Sequence, residues 1–420
     1  MAEGLAKAER CALTMVNHMR HIILAGLVII GGCAAPHPKE SPHRPLTSRW
    51  ENITDVLSQK IQRTVRECSD SLSYPRSAAP NERWVTVPIR DWTSGFFPGV
   101  LWYMYEMTGE KSFEASARRW TQGLAPIQWY TGSHDVGFMV FCSFGNGHRL
   151  TRDESYKAVI LQTARTLTTR YNPVVGCIRS WDNRRWKFPV IVDNMMNLEL
   201  LFWASRNGGT KEMYDIAVRH AETTMRNHFR PDGSTYHVLD FDTANGSVIS
   251  RVTHQGYADS SCWSRGQAWA IYGFTMTYRY TRDPRFLETA RRAADYFLRR
   301  LPSDHVPYWD FDAPNIPDEP RDASAGAIAA SALLELSGYM EGSPDRDRYF
   351  QRAVSMIEAL SVPPFLTAEP SSRGILQHAV GNKPGGGEIG VSLIYGDYYF
   401  IESLLRYRRL AAGDVVQEGR

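Results

Sequence analysis

The stretch "GQAWAIYGFTMTYRYTRDPRFLETARRAADYFLRRL", residues 266–301, decides the fold. Its first half is aromatic and apolar on nearly every face. A polar turn at Arg282-Asp283-Pro284 follows, and then a helix with Arg and Glu on one side. Asp283 before Pro284 is a strong helix start, because the carboxylate caps free N–H groups and proline already holds a helical φ. The same layout recurs in residues 96–120, "FFPGVLWYMYEMTGEKSFEASARRW", turning at Thr108-Gly109, and in residues 325–360, "AGAIAASALLELSGYMEGSPDRDRYFQRAVSMIEAL". A helix apolar all round must be buried, whereas a one-sided helix lies outside. Alternation of the two kinds therefore predicts two concentric rings.

Helical periodicity predicts segments near 51–68, 95–108, 112–130, 135–147, 154–171, 193–206, 210–228, 263–280, 284–300, 322–338, 345–360 and 391–408, while strand-like alternation is scarce. The last helix lacks an outer partner and the first lacks an inner one. If those two pair, six hairpins close into an all-α (α/α)6 toroid. An open solenoid is the competing architecture, and the closure argument favours the toroid.

The chain of 420 residues carries 48 Lys+Arg against 45 Asp+Glu, without the basic block that tracks nucleic acid. Its 12 Trp and 20 Tyr suit sugar stacking, but they also suit cores. Near the N-terminus an apolar run from Ile22 to Ile30 precedes Gly31-Gly32-Cys33. That run is too short to cross a membrane, which takes about 20 residues, and it matches a secretory signal of the lipoprotein kind. Glu3 and Glu9 are foreign to such a signal, so the expected start is Met15 or Met19. The expected layout is a signal over 1–32, a flexible tether over 33–50, one catalytic domain over 51–410 and a tail over 411–420. Lipidation at Cys33 would tether the protein to a membrane, periplasmic or surface-facing, without crossing it. Cys11, Cys68, Cys142, Cys177 and Cys262 show no metal or disulfide spacing, and Cys142 and Cys262 read as core thiols.

The polar residues collect in the loops that lead into the inner helices: "RDWTSGFFPG" (90–99), "TGSHDVGFMVF" (131–141), "FPVIVDNMMN" (188–197), "THQGYADSSCWSRGQAW" (253–269) and "QHAVGNKPGGGEIGVSLIYGDYYF" (377–400). In a toroid all of these open on one face, as a site on a rigid scaffold requires. Asp193 and Asp135 each stand at a helix start, so each has a plain reading as a cap. Their company of Asn194, Asn197 and five similar loops, with "YWDFDAP" and "RDASAG" (308–326) the fifth in chain order, favours catalysis. His134-Asp135 lacks a second histidine at helical spacing, so no metal is expected. Asp310 and Asp312 lack calcium-loop spacing and read as solvated or loop-bonding. No cofactor is expected.

Taken together, Trp-x-x-Gly-Phe-Phe-Pro-Gly from Trp92, His134-Asp135-x-Gly-Phe, Asp193-Asn-Met-Met-Asn-Leu, His254-Gln-Gly-Tyr, Ser-Arg-Gly-Gln267-Ala-Trp and the "DASAGAIAASALLEL" helix resemble glycoside hydrolase family 88, the unsaturated glucuronyl hydrolases. The resemblance spans about residues 50–408. It implies an (α/α)6 barrel that removes a 4,5-unsaturated uronic acid from the non-reducing end of oligosaccharides made by polysaccharide lyases. It also implies Asp193 as general acid/base, Asp135 as the second essential carboxylate, His254 and Gln267 as substrate contacts, and Trp92 and Trp181 as aromatic walls. His134 is expected to orient a carboxylate or touch the substrate. Trp263 is a further wall, and Lys383 in "GNKPGGG" an anion contact. A rhamnogalacturonyl hydrolase, another glycosidase of the same fold and a non-catalytic glycan-binding lipoprotein are the alternatives. For Asp193 to hold a proton near neutrality, burial and the charge of Asp135 must outweigh the helix terminus, which favours the anion.

Overall fold

The computed structural model describes residues 46–69, 72–368 and 372–413. The expected signal, Cys11, Cys33 and the tail beyond 413 lie outside the described residues. The helices are α1 (Leu46–Cys68), α2 (Phe96–Thr108), α3 (Lys111–Gly123), α4 (Val136–Val140), α5 (Asn146–Thr151), α6 (Glu154–Thr168), α7 (Leu198–Arg206), α8 (Lys211–Asn227), α9 (Ser264–Thr281), α10 (Pro284–Arg300), α11 (Ala323–Gly338), α12 (Asp345–Leu360) and α13 (Ile394–Ala411). Burial sorts them as the hydropathy predicts. In α9 nearly every residue is enclosed, while α10 buries only a stripe led by Phe286, Ala290, Ala293, Ala294 and Phe297. Asp283 caps α10, its carboxylate accepting from Arg285 N at 2.9 Å.

The inner ring closes. α2, α13, α11, α9 and α7 touch in turn, α7 reaches α4, and α5 returns to α2. The fold is thus the (α/α)6 toroid rather than a solenoid. Where the ring closes, α1 packs on α2, and Arg408 of α13 lies over the Trp50 ring at 5.0 Å. Inside the ring, Glu402 of α13 accepts hydrogen bonds from Tyr103 of α2 (2.7 Å), Tyr272 of α9 (3.1 Å) and Ser331 of α11 (2.6 Å). One carboxylate therefore ties four inner helices.

Several boundaries differ from expectation for local reasons. α1 begins at Leu46, so residues 46–50 are helix and not tether. The helix expected over 112–130 stops at Gly123, and a 3-10 turn holding Pro126 follows over Ala125–Trp129. The helix expected over 135–147 is interrupted by a π turn, Phe141–Gly145, where Ser143 Oγ bonds back to Met139 O at 2.6 Å. Asp193 lies in a 3-10 turn, Val192–Asn197, ahead of α7.

The larger difference is β-structure. The described residues hold strands β1 (Tyr74–Ala78), β2 (Val85–Val87), β3 (Tyr171–Asn172), β4 (Cys177–Ile178), β5 (Pro189–Ile191), β6 (Val238–Phe241), β7 (Val248–Val252), β8 (Ala379–Asn382) and β9 (Gly387–Leu393). They form antiparallel sheets in the orders β2-β1-β9-β8, β3-β4 and β5-β6-β7. The end of β9, residues 391–393, takes the first positions of the last expected helix, which begins instead at Ile394. These strands come from the lead-in loops, and β5 and β6 are buried throughout, so no period of two marks them. The described cysteines Cys68, Cys142, Cys177 and Cys262 are all buried.

Candidate active site

Two backbone pairings build the site. A bridge between Ser133 and Trp181 sets the loop before α4 beside the wall that carries Trp181. The β5–β6 register pairs Ile191 with Val238, and Val192 N then donates to His237 O at 3.0 Å. That register delivers the His237 side chain to Asp193. The two acidic loops are joined through Asn197, whose Oδ1 accepts from Phe138 N at 2.9 Å and whose Nδ2 meets His134 Nδ1 at 3.2 Å. Gly137 permits this contact, since a Cβ there would stand 2.7 Å from Asn197 Cα.

The result is a cavity lined by Trp92, Asp135, Phe138, Trp181, Ile191, Asp193, Gln255, Trp263 and Arg265. Neither carboxylate acts as a helix cap through its side chain. Asp135 Oδ2 accepts from Ser133 Oγ at 2.9 Å, and His134 Nε2 lies 3.2 Å from Asp135 Oδ1. Asp193 is pushed up to about 7, chiefly by burial. The Arg265 cation and a hydrogen bond from Trp269 pull it down, and the charge of Asp135 pushes it up. Burial is thus the main cause; Asp135, expected to share the lead, supports it against Arg265.

His237 is buried and held neutral, well below the usual histidine range, by burial first and by the His254 and Arg265 charges. Its Nδ1 faces the N–H groups of His254 (3.2 Å) and Gln255 (3.3 Å), so the network assigns the proton to Nε2. Nε2 lies 3.7 Å from Asp193 Oδ2. Both atoms are buried without a hydrogen-bond partner among the described residues. Such atoms call for a polar partner, and these two face one another at the cavity.

Arg265 is the chief residue that sequence reading passed over. One of its terminal nitrogens (Nη1) pairs with Asp322 Oδ2 at 2.7 Å and also donates to Val380 O; the other (Nη2) donates to Gly381 O at 2.5 Å. The guanidinium lies over Trp263 at 4.5 Å and Tyr395 at 5.3 Å. Three of its five N–H donors are thereby used, and the rest suit a carboxylate. Gln255 also lines the cavity, with Nε2 anchored on Gly381 O at 3.0 Å.

Of the residues singled out from sequence, Asp193, Asp135, Trp92, Trp181 and Trp263 meet in this cavity. The others do not. His254 stands outside it, against Trp181 (5.3 Å) and Trp186 (6.1 Å). His134 is fully buried behind Asp135, its Nε2 3.2 Å from Asp135 Oδ1, and does not line the cavity. Gln267 is also fully buried, accepting from Thr235 Oγ1 (3.0 Å) and donating to Gly233 O (2.8 Å) and Ala293 O (3.0 Å). Its amide has nothing left for a sugar. Lys383 pairs with the buried Glu319 and lies over Trp309 at 5.0 Å, so its charge is already matched. Asp310 is buried and not solvated; it shapes the 253–262 loop by accepting from Tyr257 N (2.8 Å) and Ser261 Oγ (2.7 Å).

A scaffold role for Gln267 makes a prediction. Gln267→Leu strands buried carbonyls and should lower unfolding free energy by about 1–3 kcal/mol, seen in urea denaturation. The KM of the folded fraction should stay near wild type; a large rise in KM without loss of stability would restore the contact role.

A family model described as Glycosyl Hydrolase Family 88 matches residues 58–401. An unsaturated glucuronyl hydrolase of Formosa agariphila is 45% identical over 361 residues, covering 84% of this chain and 89% of the relative. One from a Bacillus species is 35% identical over 354 residues, covering 83% and 94%. A crystal structure of an unsaturated glucuronyl hydrolase specific for heparin superposes with a TM-score of 0.82 at 42% identity, covering 87% of this chain and 99% of that one.

Proposed function

Because the chain belongs to glycoside hydrolase family 88, we propose that it removes a 4,5-unsaturated uronic acid from the non-reducing end of lyase-made oligosaccharides, with Asp193 as the proton donor. The observation that carries this reading is the pairing of Asp135 with an Asp193 raised to about 7 in one aromatic-walled cavity.

The substrate is a vinyl ether, its C4=C5 bond attached to the ring oxygen and conjugated with the carboxylate. Asp193 gives its proton to C4, and positive charge develops at C5 and the ring oxygen. The carboxylate of Asp135 faces that charge and stabilises it. Asp193, now ionised, takes a proton from water as the oxygen bonds to C5. The resulting hemiketal opens and releases the neighbouring sugar. Ordinary glycosidases instead protonate the glycosidic oxygen and act at C1. Arg265 is placed to hold the uronate carboxylate, Trp92, Trp181 and Trp263 wall the ring, and the neutral His237 Nε2–H beside Asp193 is placed to orient the water.

The test is loss of ultraviolet absorbance, since hydration and ring opening destroy the conjugated double bond. Purified protein should bleach at least one of a panel of glycosaminoglycan, ulvan and gellan lyase digests; bleaching of none would remove the reading. The proton donor also sets a pH dependence. Asp193 is active while protonated, so kcat should decline as pH rises through about 7. A kcat that climbs steadily from pH 6 to 9 would assign the proton elsewhere.

We further propose an extracytoplasmic, membrane-tethered setting, supported by the signal-like run Ile22–Ile30 before Cys33. Labelled fatty acid should enter the wild-type protein in a bacterial host and be absent from Cys33→Ala; equal labelling of both would reject the tether.

A further inference from the structure

The aromatic wall does not end at the cavity. Trp181, which lines it, leans against Trp186 with ring centres 5.6 Å apart and planes at 33°. His254 stands edge-on to both rings. Beyond them Arg185 is exposed, its guanidinium over the Trp186 ring at 4.5 Å. Asn183 Oδ1 accepts from Arg185 N at 3.1 Å, which fixes the turn that presents the side chain.

Charge accounting separates Arg185 from its neighbours. Arg170 pairs with Asp182, Lys187 with Asp242, Arg265 with Asp322 and Lys383 with Glu319. Among the described residues Arg184 and Arg185 have no ion-pair partner. A guanidinium stacked on an aromatic ring keeps its edge donors free and gives up little freedom on binding. Its charge is also felt at the inner wall: His254 is lowered by burial and, next, by Arg185.

We propose that Arg185, held on Trp186 at the outer rim, reads an anionic substituent, a sulfate ester or a carboxylate, on the sugar that leaves. This inference rests on the hydrolase reading above: the terminal unsaturated ring fills the cavity behind Trp181, so the leaving sugar faces the Trp181–Trp186 wall. Specificity for charged leaving sugars then resides in the 182–187 loop, and Lys383, neutralised by Glu319, does not supply it.

The experiment uses matched unsaturated disaccharides of equal linkage. One pair differs by a sulfate on the leaving sugar, the other by a carboxylate there. Wild type, Arg185→Gln and Arg184→Gln are compared by the ratio of kcat/KM for the charged over the uncharged member. Arg184→Gln removes the same unit of charge from the same loop but from a position without ring stacking. In at least one pair the ratio should fall about tenfold in Arg185→Gln and less than about twofold in Arg184→Gln. The fall should shrink in high salt. The pair that responds identifies the anion. An unchanged ratio in Arg185→Gln, or an equal fall in Arg184→Gln, overturns the proposal. Wild-type protein that bleaches no unsaturated disaccharide strikes the hydrolase reading instead, so the two failures are distinct.

Discussion

Asp193→Asn should abolish turnover while leaving a folded protein. The amide cannot give a proton to C4 and cannot take one from water, so both halves of the reaction lose their agent. General acid–base catalysis spans roughly 10²–10⁴-fold. Because one residue serves twice here, the expected loss lies in the upper part, at about 10³-fold or more. The check is absorbance decay at high enzyme concentration beside circular dichroism of the same sample. Activity within about tenfold of wild type would dismiss Asp193 as the donor.

The same substitution carries a stability signature of definite sign. With Asp193 raised from the ordinary 3.8 to about 7, the folded protein holds a proton between about pH 4 and 7 that the unfolded chain has lost. Wild-type stability therefore falls as pH rises through that window. Asp397, also buried and raised to about 7, contributes a slope of the same sign and remains in the variant. The mutant's stability curve should thus be flatter over pH 4–7 without becoming flat. A curve parallel to wild type would show that Asp193 is not protonated in the native state.

The hairpins were legible because their signals are local. Apolar helices pack all faces, a polar turn follows, and Asp283-Pro284 starts the next helix whatever the tertiary context. The acidic loops were legible too, since Asp135 and Asp193 stand among glycines and amides in segments that a closed ring must bring to one end. The sheets were not. Their strands are short, β5 and β6 are buried on both faces, and pairing partners such as Ile191 and Val238 lie far apart in sequence. His237 was lost with them, because only the β5–β6 register places it beside Asp193. Gln255 and His254 adjoin in one motif, and only the folded 253–262 loop sets Gln255 in the cavity lining and leaves His254 exposed beside Trp181.

The Gln267 error has a helical cause. Arg265 and Gln267 are two residues apart in α9, about 200° around a helix of 3.6 residues per turn. When Arg265 faces the cavity, Gln267 faces away, toward Gly233 in the turn after α8 and Ala293 of the outer helix α10. A motif read as a string could not say which of its residues points inward. The phase of the helix, fixed by the Arg265–Asp322 pair, does.

That pair gives the second large effect. Arg265→Leu leaves the Asp322 carboxylate buried without its cation, takes a donor from Val380 O and leaves Gly381 O to Gln255 alone. Breaking a buried pair from one side costs about 3–5 kcal/mol, so the variant should unfold at markedly lower urea, and little active protein is expected. Arg265→Lys keeps the charge but not the planar fork, which holds three acceptors and still offers edge donors to a substrate carboxylate. It should fold with a smaller penalty, and its kcat/KM should fall mainly through KM. The pH profile separates the roles of the guanidinium. Arg265 draws the Asp193 pKa down, so Leu, which deletes the cation, should move the basic limb of kcat to higher pH in whatever fraction folds. Lys, which keeps it, should leave the limb near 7. Variants that lose kcat/KM with equal limbs would confine Arg265 to substrate binding and loop support; a raised limb in Leu alone would show that its charge also sets how readily Asp193 parts with its proton.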